Sequence, residues 1–399
     1  MPLRRFLPGT ALLFRRLPVV LAALLPTLAL AADRPTGHAA PLPRSVAQAR
    51  VALLFDLSSE RTLYARNEEA RFLPASMAKA MTLLVAFDAI KAGSLREDAL
   101  ITVRPETARR WSGRGTTLFL QENERVAVRD LLAGVALISA NDGAVALAEG
   151  MDGSLTRFSE RMNARARNLG MADSHFTSPS GFPDGGATYV SAMDLVRLTR
   201  ALVEDHPMLY RRYIAAPSMM WKGQLHASKS PFVGVVPGGD GVKTGHTYEA
   251  GFNFLGSAER GGRRLVVVVG GVWTAPGRAQ SARDLLEWGY SEWDARSWLS
   301  PGTPVGHIAV QQGARRRVAV TVPRAYRLTV PRGARGRAEG TIVYSGPIAA
   351  PIAKGARVGE LRVSVDGALP YALPLVAAET VERAGPFDRT VNGLLGLWR

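Results

Sequence analysis

Apolar and polar positions change rhythm several times along this chain, and each change marks an element. VALLFD and RTLYAR are short apolar-rich runs separated by Leu57-Ser58-Ser59-Glu60, the pattern of a β-hairpin. LPASMAKAMTLLVAFDAIKAGS then keeps apolar residues at helical spacing, with Pro74 at its start and Gly93 as its stop. A second helical stretch, VRDLLAGVALIS, runs into Ser139-Ala140-Asn141, after which DGAVALAEG resumes the helical period. That triplet is therefore predicted at a junction between helices. LTRFSERMNARARNLG and SAMDLVRLTRALVEDH predict further helices on either side of a Pro/Gly-rich loop, and the segment up to about Gly239 reads as irregular. DGVKTGH, GFNFLGSAER and RRLVVVVGGVW predict an antiparallel set of strands, the last two joined at Gly261-Gly262. The helix SARDLLEWGYSEW closes this region near Trp298. Beyond Pro301-Gly302 the runs RRRVAVTV, YRLTVP, GTIVYSG, ELRVSV and LPYALPLVA are short, alternating and turn-bounded. The expected class is α+β: helices with an antiparallel sheet over residues 50–299, then a small all-β domain over 300–383.

The two ends read differently. Residues 1–31 carry Arg4, Arg5, Arg15 and Arg16 and an apolar run ending in Ala29-Leu30-Ala31, the composition of a cleavable secretory leader. An uncleaved anchor is the alternative, but the run is short for a span of about 20 residues. Residues 32–49, rich in Pro and Ala without periodicity, read as a linker. At the other end Phe387, Val391, Leu394, Leu395 and Trp398 fall at helical offsets. They predict an amphipathic helix over 384–399 that lies on a membrane surface, with docking on the β domain as the alternative.

Composition changes the picture in two ways. The chain has no cysteine, so its fold has to hold without the disulfides that export would permit. Its formal net charge is +16, and removing the four leader arginines leaves +12. Such a surface is attracted to anionic lipid head groups or envelope polymers, while export disfavours nucleic acid as a partner.

Three short motifs carry candidate chemistry: Ser76-Met77-Ala78-Lys79 at a helix start, Ser139-Ala140-Asn141 between helices, and Lys243-Thr244-Gly245 on a strand. An S-x-x-K match alone arises by chance on the order of once in a chain this long, so order and local structure give the set its weight. Serine needs a neighbouring base to be nucleophilic at neutral pH, and two residues three apart on a helix share a face. Lys79 can act as that base only when neutral, a state favoured by burial, by the helix N-terminus and by a like charge such as Lys243. Lysine is rare here: six lysines, at 79, 91, 222, 229, 243 and 354, stand against 44 arginines. Both motif cations are nevertheless lysine, and arginine, which does not deprotonate in proteins, could not replace Lys79 as a base. Each motif also has an ordinary structural explanation: a helix cap at Ser76, a turn at Ser139 and Asn141, a close-packed strand at Gly245. No serine in a G-x-S-x-G context, no H-E-x-x-H helix and no phosphate-cradling loop is present, and neither a metal nor a cofactor is expected.

At these residues the chain resembles the penicillin-binding protein and serine β-lactamase superfamily, most closely its low-molecular-mass D-alanyl-D-alanine carboxypeptidases. The resemblance runs from about Val51 to the C-terminus and includes RMNARARNLGMADSHFTSPSGF and RAQSARDLLEWGY. It implies a transpeptidase-like catalytic domain followed by a β domain. Ser76 would be acylated by the penultimate D-alanine of a peptidoglycan stem peptide, with Lys79 as base. Ser139 would relay a proton, Asn141 would hold the substrate amide and Lys79, and Lys243, Thr244 and Gly245 would bind the terminal carboxylate. The backbone N–H groups of Ser76 and His246 would form an oxyanion hole, and Arg278 would assist carboxylate binding, a surface arginine being the alternative. It also implies acylation by β-lactams and a place on the periplasmic side of the inner membrane. Two departures stand out: LHASKSPFVGVVPGGD before the third motif, and Pro179-Ser180-Gly181 where many members have P-H-G.

Three rival readings remain at this level. A β-lactamase is disfavoured because no E-x-x-x-N pattern lies between Asn141 and Lys243. A D,D-endopeptidase cutting cross-links shares the same motifs. A non-catalytic peptidoglycan-binding protein would have no use for an intact Ser76, Lys79 and Lys243.

Overall fold

The run RRLVVVVGGVW lies at the middle of the architecture. In the computed structural model Arg263–Val272 is an inner strand of a six-stranded sheet, in the order Arg34–Pro35, Arg61–Arg66, Val51–Asp56, Arg263–Val272, Gly251–Arg260, Gly239–Thr247. Every neighbouring pair is antiparallel. Because side chains alternate across a strand, Val266 and Val268 enter one core while Leu265, Val267 and Val269 enter the other. Burial on both faces explains a continuous apolar run without any membrane span. Gly239–Thr247 is the last strand of the sheet, with no strand paired to its outer edge among the described residues.

The structure describes residues 34–35, 41–111, 113–334, 338–365 and 370–385, all within one compact unit, Asp33–Arg399. The expected leader and the segment Pro386 to Arg399 of the expected amphipathic helix lie outside the described residues. Among the described residues no helix is long and apolar enough to cross a membrane.

One face of the sheet carries the helices Lys79–Lys91, Asn141–Asp152, Leu155–Asn168 and Ala192–Asp205. The first is buried almost all round, from Lys79 to Phe87 without a break, as a helix at the centre of a layer must be. Gly93, in the left-handed region at φ +75°, follows its end. The other face is covered by Ala275–Ser291, whose Leu285, Leu286 and Trp288 pack on Leu54, Phe254 and Val267.

Four segments differ from the sequence expectation. Within the stretch read as a linker, Arg44–Gln48 is a 3-10 turn with Val46 buried, tied to Ala275–Ser291 by Ser45 Oγ donating to Asp284 at 2.6 Å. The segment read as irregular contains the hairpin Ser218–Trp221/Gln224–Ala227, whose turn Lys222-Gly223 has both φ angles positive. The helix of SARDLLEWGYSEW ends at Ser291, and Trp293–Leu299 is a strand paired with Tyr326–Pro331. Trp293 is buried against Trp288, which pulls the chain out of the helix and into the β region. Gly306–Gln311 is an additional strand.

The all-β region adds a six-stranded sheet, in the order Ala338–Val343, Arg357–Val365, Tyr371–Ala377, Arg317–Thr321, Gly306–Gln311, Ile348–Ala349. Its junction with the larger part is polar and buried. Asp56 accepts from Arg263 Nε and Thr329 Oγ1, both at 2.8 Å, while Arg61 donates to the Thr329 carbonyl. Arg324 reaches Glu60 and the Leu57 carbonyl.

Candidate active site

Ser76 stands on a 3-10 turn, Ala75–Ala78, that leads into Lys79–Lys91. Ala75 is in the left-handed region at φ +49°, and Met77, Ala78 and Lys79 are fully buried, so the turn is anchored from below while Ser76 stays partly accessible. Two glycines let neighbouring segments close on it. A Cβ at Gly181 would sit 2.0 Å from the Ala75 carbonyl oxygen, and one at Gly245 would sit 2.3 Å from that of Pro74.

The Lys79 Nζ is the hub. It donates to Asn141 Oδ1 at 2.7 Å, to the Ser180 carbonyl at 2.6 Å and to Ser76 Oγ at 3.0 Å. Two of these partners can only accept. Ser76 Oγ alone can turn from acceptor to donor, so loss of a proton from Lys79 reverses the Ser76–Lys79 bond and directs the hydroxyl hydrogen at the amine. Burial lowers the Lys79 pKa well below the ordinary lysine value, and the like charges of Lys243 and Lys229 push the same way against Asp142.

Asn141 opens its helix, and its amide orientation is set by Nδ2 donating to the Arg114 carbonyl at 3.0 Å. Next to it, Asp142 accepts from the backbone N–H groups of Leu118, Leu120 and Gly143, which pins the loop before the second motif to that helix. Ser139 sits between a π turn, Gly134–Ile138, and this helix, with φ +70°. Its hydroxyl has no hydrogen-bond partner among the described residues and lines the cavity.

Across the cleft, the edge strand presents Thr244 and His246 on the cavity side. His246 stacks on Phe252 with ring centroids 3.8 Å apart. Lys243 is buried, donating to the Thr244 carbonyl at 3.1 Å, with no acid in ion-pair range among the described residues. Burial first, then Lys229 and Arg278, bring its pKa down to about 7. Arg278, in the first turns of Ala275–Ser291, has a buried Nε without a hydrogen-bond partner among the described residues. The cavity measures about 710 Å3 and is bordered by Ser76, Ser139, Asn141, Thr244, His246 and Arg278 among others. It is rich in cations and opens on one hydroxyl nucleophile, an arrangement suited to receiving a carboxylate beside an acyl carbon. Among the described residues no group of three His, Asp or Glu side chains is placed to hold a metal ion.

Residues 37–274 match the family model described as D-alanyl-D-alanine carboxypeptidase. The chain belongs to the D-alanyl-D-alanine carboxypeptidase family. Residues 293–383 match a second model, the penicillin-binding protein 5 C-terminal domain, which accounts for the β region beginning at Trp293. The D-alanyl-D-alanine carboxypeptidase DacD of Salmonella typhimurium is 33% identical over 358 residues, 88% of this chain and 90% of that protein. The crystal structure of penicillin-binding protein 5 from Haemophilus influenzae is similar with a TM-score of 0.75 at 29% identity, covering 87% of this chain and all of that one. Penicillin-binding protein D2 of Listeria monocytogenes, solved in its ampicillin-bound form, is 30% identical with a TM-score of 0.55 and covers 61% of this chain and 98% of its own.

In this carboxypeptidase the residues of all three motifs meet at one cavity, and Arg278 joins them from a distant helix. Three features escaped the sequence reading. Lys229, from the divergent LHASKSPFVGVVPGGD, enters the cavity and donates to Thr116 Oγ1 at 2.8 Å. Its rarity as one of six lysines was a usable signal. At Pro179-Ser180-Gly181 it is the Ser180 carbonyl that holds Lys79, while its buried hydroxyl pairs with Ser178 Oγ and accepts from the Phe182 N–H. Asp142, beside Asn141, forms its hydrogen bonds with backbone N–H groups and left no motif to find.

Proposed function

We propose that Ser76 is the nucleophile through which this D-alanyl-D-alanine carboxypeptidase releases the terminal D-alanine of peptidoglycan stem peptides. The observation that carries the reading is the Lys79 Nζ, held by two carbonyl acceptors with Ser76 as its third partner. Neutral Lys79 takes the Ser76 proton as Oγ bonds to the penultimate D-alanyl carbonyl carbon. The backbone N–H groups of Ser76 and His246 receive the oxyanion. As the C–N bond breaks, Ser139 passes a proton from the Lys79 side to the leaving amine, and D-alanine departs. Water, deprotonated in turn by Lys79, cleaves the ester and restores Ser76. Lys243, Thr244 and Arg278 hold the terminal carboxylate; that anion stabilises the Lys243 ammonium, which burial disfavours.

Penicillin acylates the same oxygen in this reading, which the ampicillin-bound Listeria relative supports. Mature protein incubated with labelled penicillin is expected to become covalently marked, with Ser76→Ala unmarked, and to release D-alanine from a pentapeptide ending in D-alanyl-D-alanine. Equal marking of both forms sinks the mechanism.

The leader composition supports export to the periplasmic side of the inner membrane, with peripheral attachment through the apolar face of Phe387, Val391, Leu394, Leu395 and Trp398. Deleting residues 386–399 is expected to move the exported protein to the soluble fraction with penicillin binding retained. Unchanged sedimentation with membranes refutes that attachment.

A further inference from the structure

Residues 114–120 belong to no helix or strand, yet they border the catalytic cavity at Gly115 and Thr116 and are fastened to the second motif. The Arg114 carbonyl accepts from Asn141 Nδ2 at 3.0 Å, the Thr116 carbonyl accepts from the Asn141 N–H at 2.8 Å, and the N–H groups of Leu118 and Leu120 donate to Asp142. The Leu118 side chain is buried in a notch cut by two glycines. A Cβ on Gly134 would lie 2.6 Å from Leu118 Cδ1, and one on Gly143 would lie 3.1 Å from the same atom. Gly134 opens the π turn that leads to Ser139, and Gly143 follows Asn141 by two residues, so Leu118 is wedged between the segments that deliver both motif side chains.

A second element grips the same loop from its other side. In the hairpin Ser218–Trp221/Gln224–Ala227, the half-buried Trp221 donates Nε1–H to the Leu118 carbonyl at 2.7 Å. Lys222, over the Trp221 ring at 5.3 Å from its centroid, donates Nζ to the Phe119 carbonyl at 3.0 Å. Phe119 is in the left-handed region at φ +54°, and its ring, 66% exposed, gains little burial to offset that backbone. What the bend supplies is two successive carbonyls, both met by donors of the hairpin. Covering the core beneath the hairpin needs only an apolar ring at position 221. An N–H aimed at the Leu118 carbonyl is a further requirement, which phenylalanine does not meet.

We infer that Trp221 is a positioning residue for acylation: by holding the Leu118 carbonyl it keeps the Arg114 carbonyl on Asn141, and through Asn141 it keeps Lys79 aligned with Ser76. The chain of bonds is continuous. Trp221 Nε1 holds Leu118, residues 114–118 carry the Arg114 acceptor, Asn141 Nδ2 donates to that acceptor, and Asn141 Oδ1 accepts from Lys79 Nζ at 2.7 Å. An Asn141 amide released from the Arg114 carbonyl is free to turn over. Turned over, it points Nδ2 at Lys79 where Oδ1 now accepts, and the amine loses one of the partners that direct it. This rests on the reading of Ser76 and Lys79 given above.

The test is the second-order rate of acylation by labelled penicillin, measured with the mature protein beside its thermal midpoint. Trp221→Phe keeps an aromatic ring and removes the donor, whereas Trp221→His loses the six-membered ring and keeps an N–H, since imidazole Nε2 overlays indole Nε1. Trp221→Phe is expected to acylate about 5-fold more slowly than the wild type, the scale of one neutral hydrogen bond, and Trp221→His to stay within about 2-fold. Stability runs the other way, with Trp221→His melting lower than Trp221→Phe because it buries less apolar surface. On an Asn141→Ala background, itself slow, Trp221→Phe is expected to slow acylation no further, and this comparison decides alone if Trp221→His does not fold. Acylation of Trp221→Phe at the wild-type rate, rates that follow the melting order, or an undiminished effect without Asn141 overturns the positioning role and leaves Ser76 untouched. Failure of penicillin to acylate the wild type at Ser76 overturns the Ser76 reading and this inference with it.

Discussion

At the scale of single residues, the site works by placing lysines where their charge is costly. Lys79 and Lys243 are both buried, and each lowers its pKa through desolvation first and neighbouring cations second. The proposed mechanism calls for opposite protonation states of the two, with Lys79 as a base when neutral and Lys243 as a carboxylate binder when charged. The pH profile of kcat/KM should therefore be bell-shaped: it rises as Lys79 loses its proton and falls as Lys243 loses its own near pH 7. Lys243→Arg, which does not titrate in this range, should remove the alkaline fall while leaving the acid limb, as followed by D-alanine release between pH 5 and 10. Linkage gives the sign for stability. The folded pKa of Lys243, about 7, lies below its ordinary 10.5, so the unfolded chain binds more protons between those values. This group's contribution thus improves as pH rises through that window, and its full cost is present below about 7.

At the scale of elements, two loops are pressed onto the Ser76 turn through glycines. Gly181 at φ +63° has the Ala75 carbonyl where a side chain would start, so Gly181→Ala has to push the turn or the loop away. A displacement of this kind is expected to slow penicillin acylation roughly 100-fold, read by stopped-flow labelling, with far-UV circular dichroism unaltered. The major helices and the three long strands of the larger part were legible in the sequence because their apolar periods are long and their stops are marked, as at Gly93. The three motifs were legible as a set for the same reason: each lay at a recognisable helix start, junction or strand. What escaped was encoded in backbone rather than in side-chain pattern. The hairpin at Lys222-Gly223 depends on two left-handed residues, and the carbonyls of Ser180 and Arg114 that orient Lys79 and Asn141 carry no residue signature. The strand Trp293–Leu299 was hidden because WDARSWL continues a helical pattern until Trp293 finds its place against Trp288.

At the scale of the whole molecule, the larger part and the β region are joined by buried ions beside the apolar contact of Trp293 with Trp288. Asp56 is fully buried and neutralises Arg263, itself 5% exposed, while also accepting from Thr329 of the β region. Removing the acid leaves a guanidinium without its counter-charge in a dry environment. Asp56→Ala is expected to cost about 3–5 kcal/mol in urea denaturation, and penicillin acylation should persist at low denaturant because Asp56 is not at the cavity. The Listeria relative covers 61% of this chain and nearly all of its own, so the larger part has counterparts that lack the remainder. In this chain the junction residues Asp56, Glu60 and Arg61 belong to the hairpin of the larger part, which ties that hairpin to the β region's presence.

The position of Gly239–Thr247 at the rim of its sheet has a consequence for solubility as well as for chemistry. An unfinished sheet edge is a template on which a second copy can add, and proteins commonly defend such edges with lysine. Here the rim at Thr244, Gly245 and His246, of which only His246 is exposed, borders a walled cleft, with Lys229 and Arg278 standing beside it. Another folded copy meets positive charge and a barrier, whereas one extended peptide ending in a carboxylate meets a vacancy in the ladder. The hazard of self-association and the capacity to hold a strand-like substrate therefore arise from the same unpaired backbone, and the cations decide which guest it accepts.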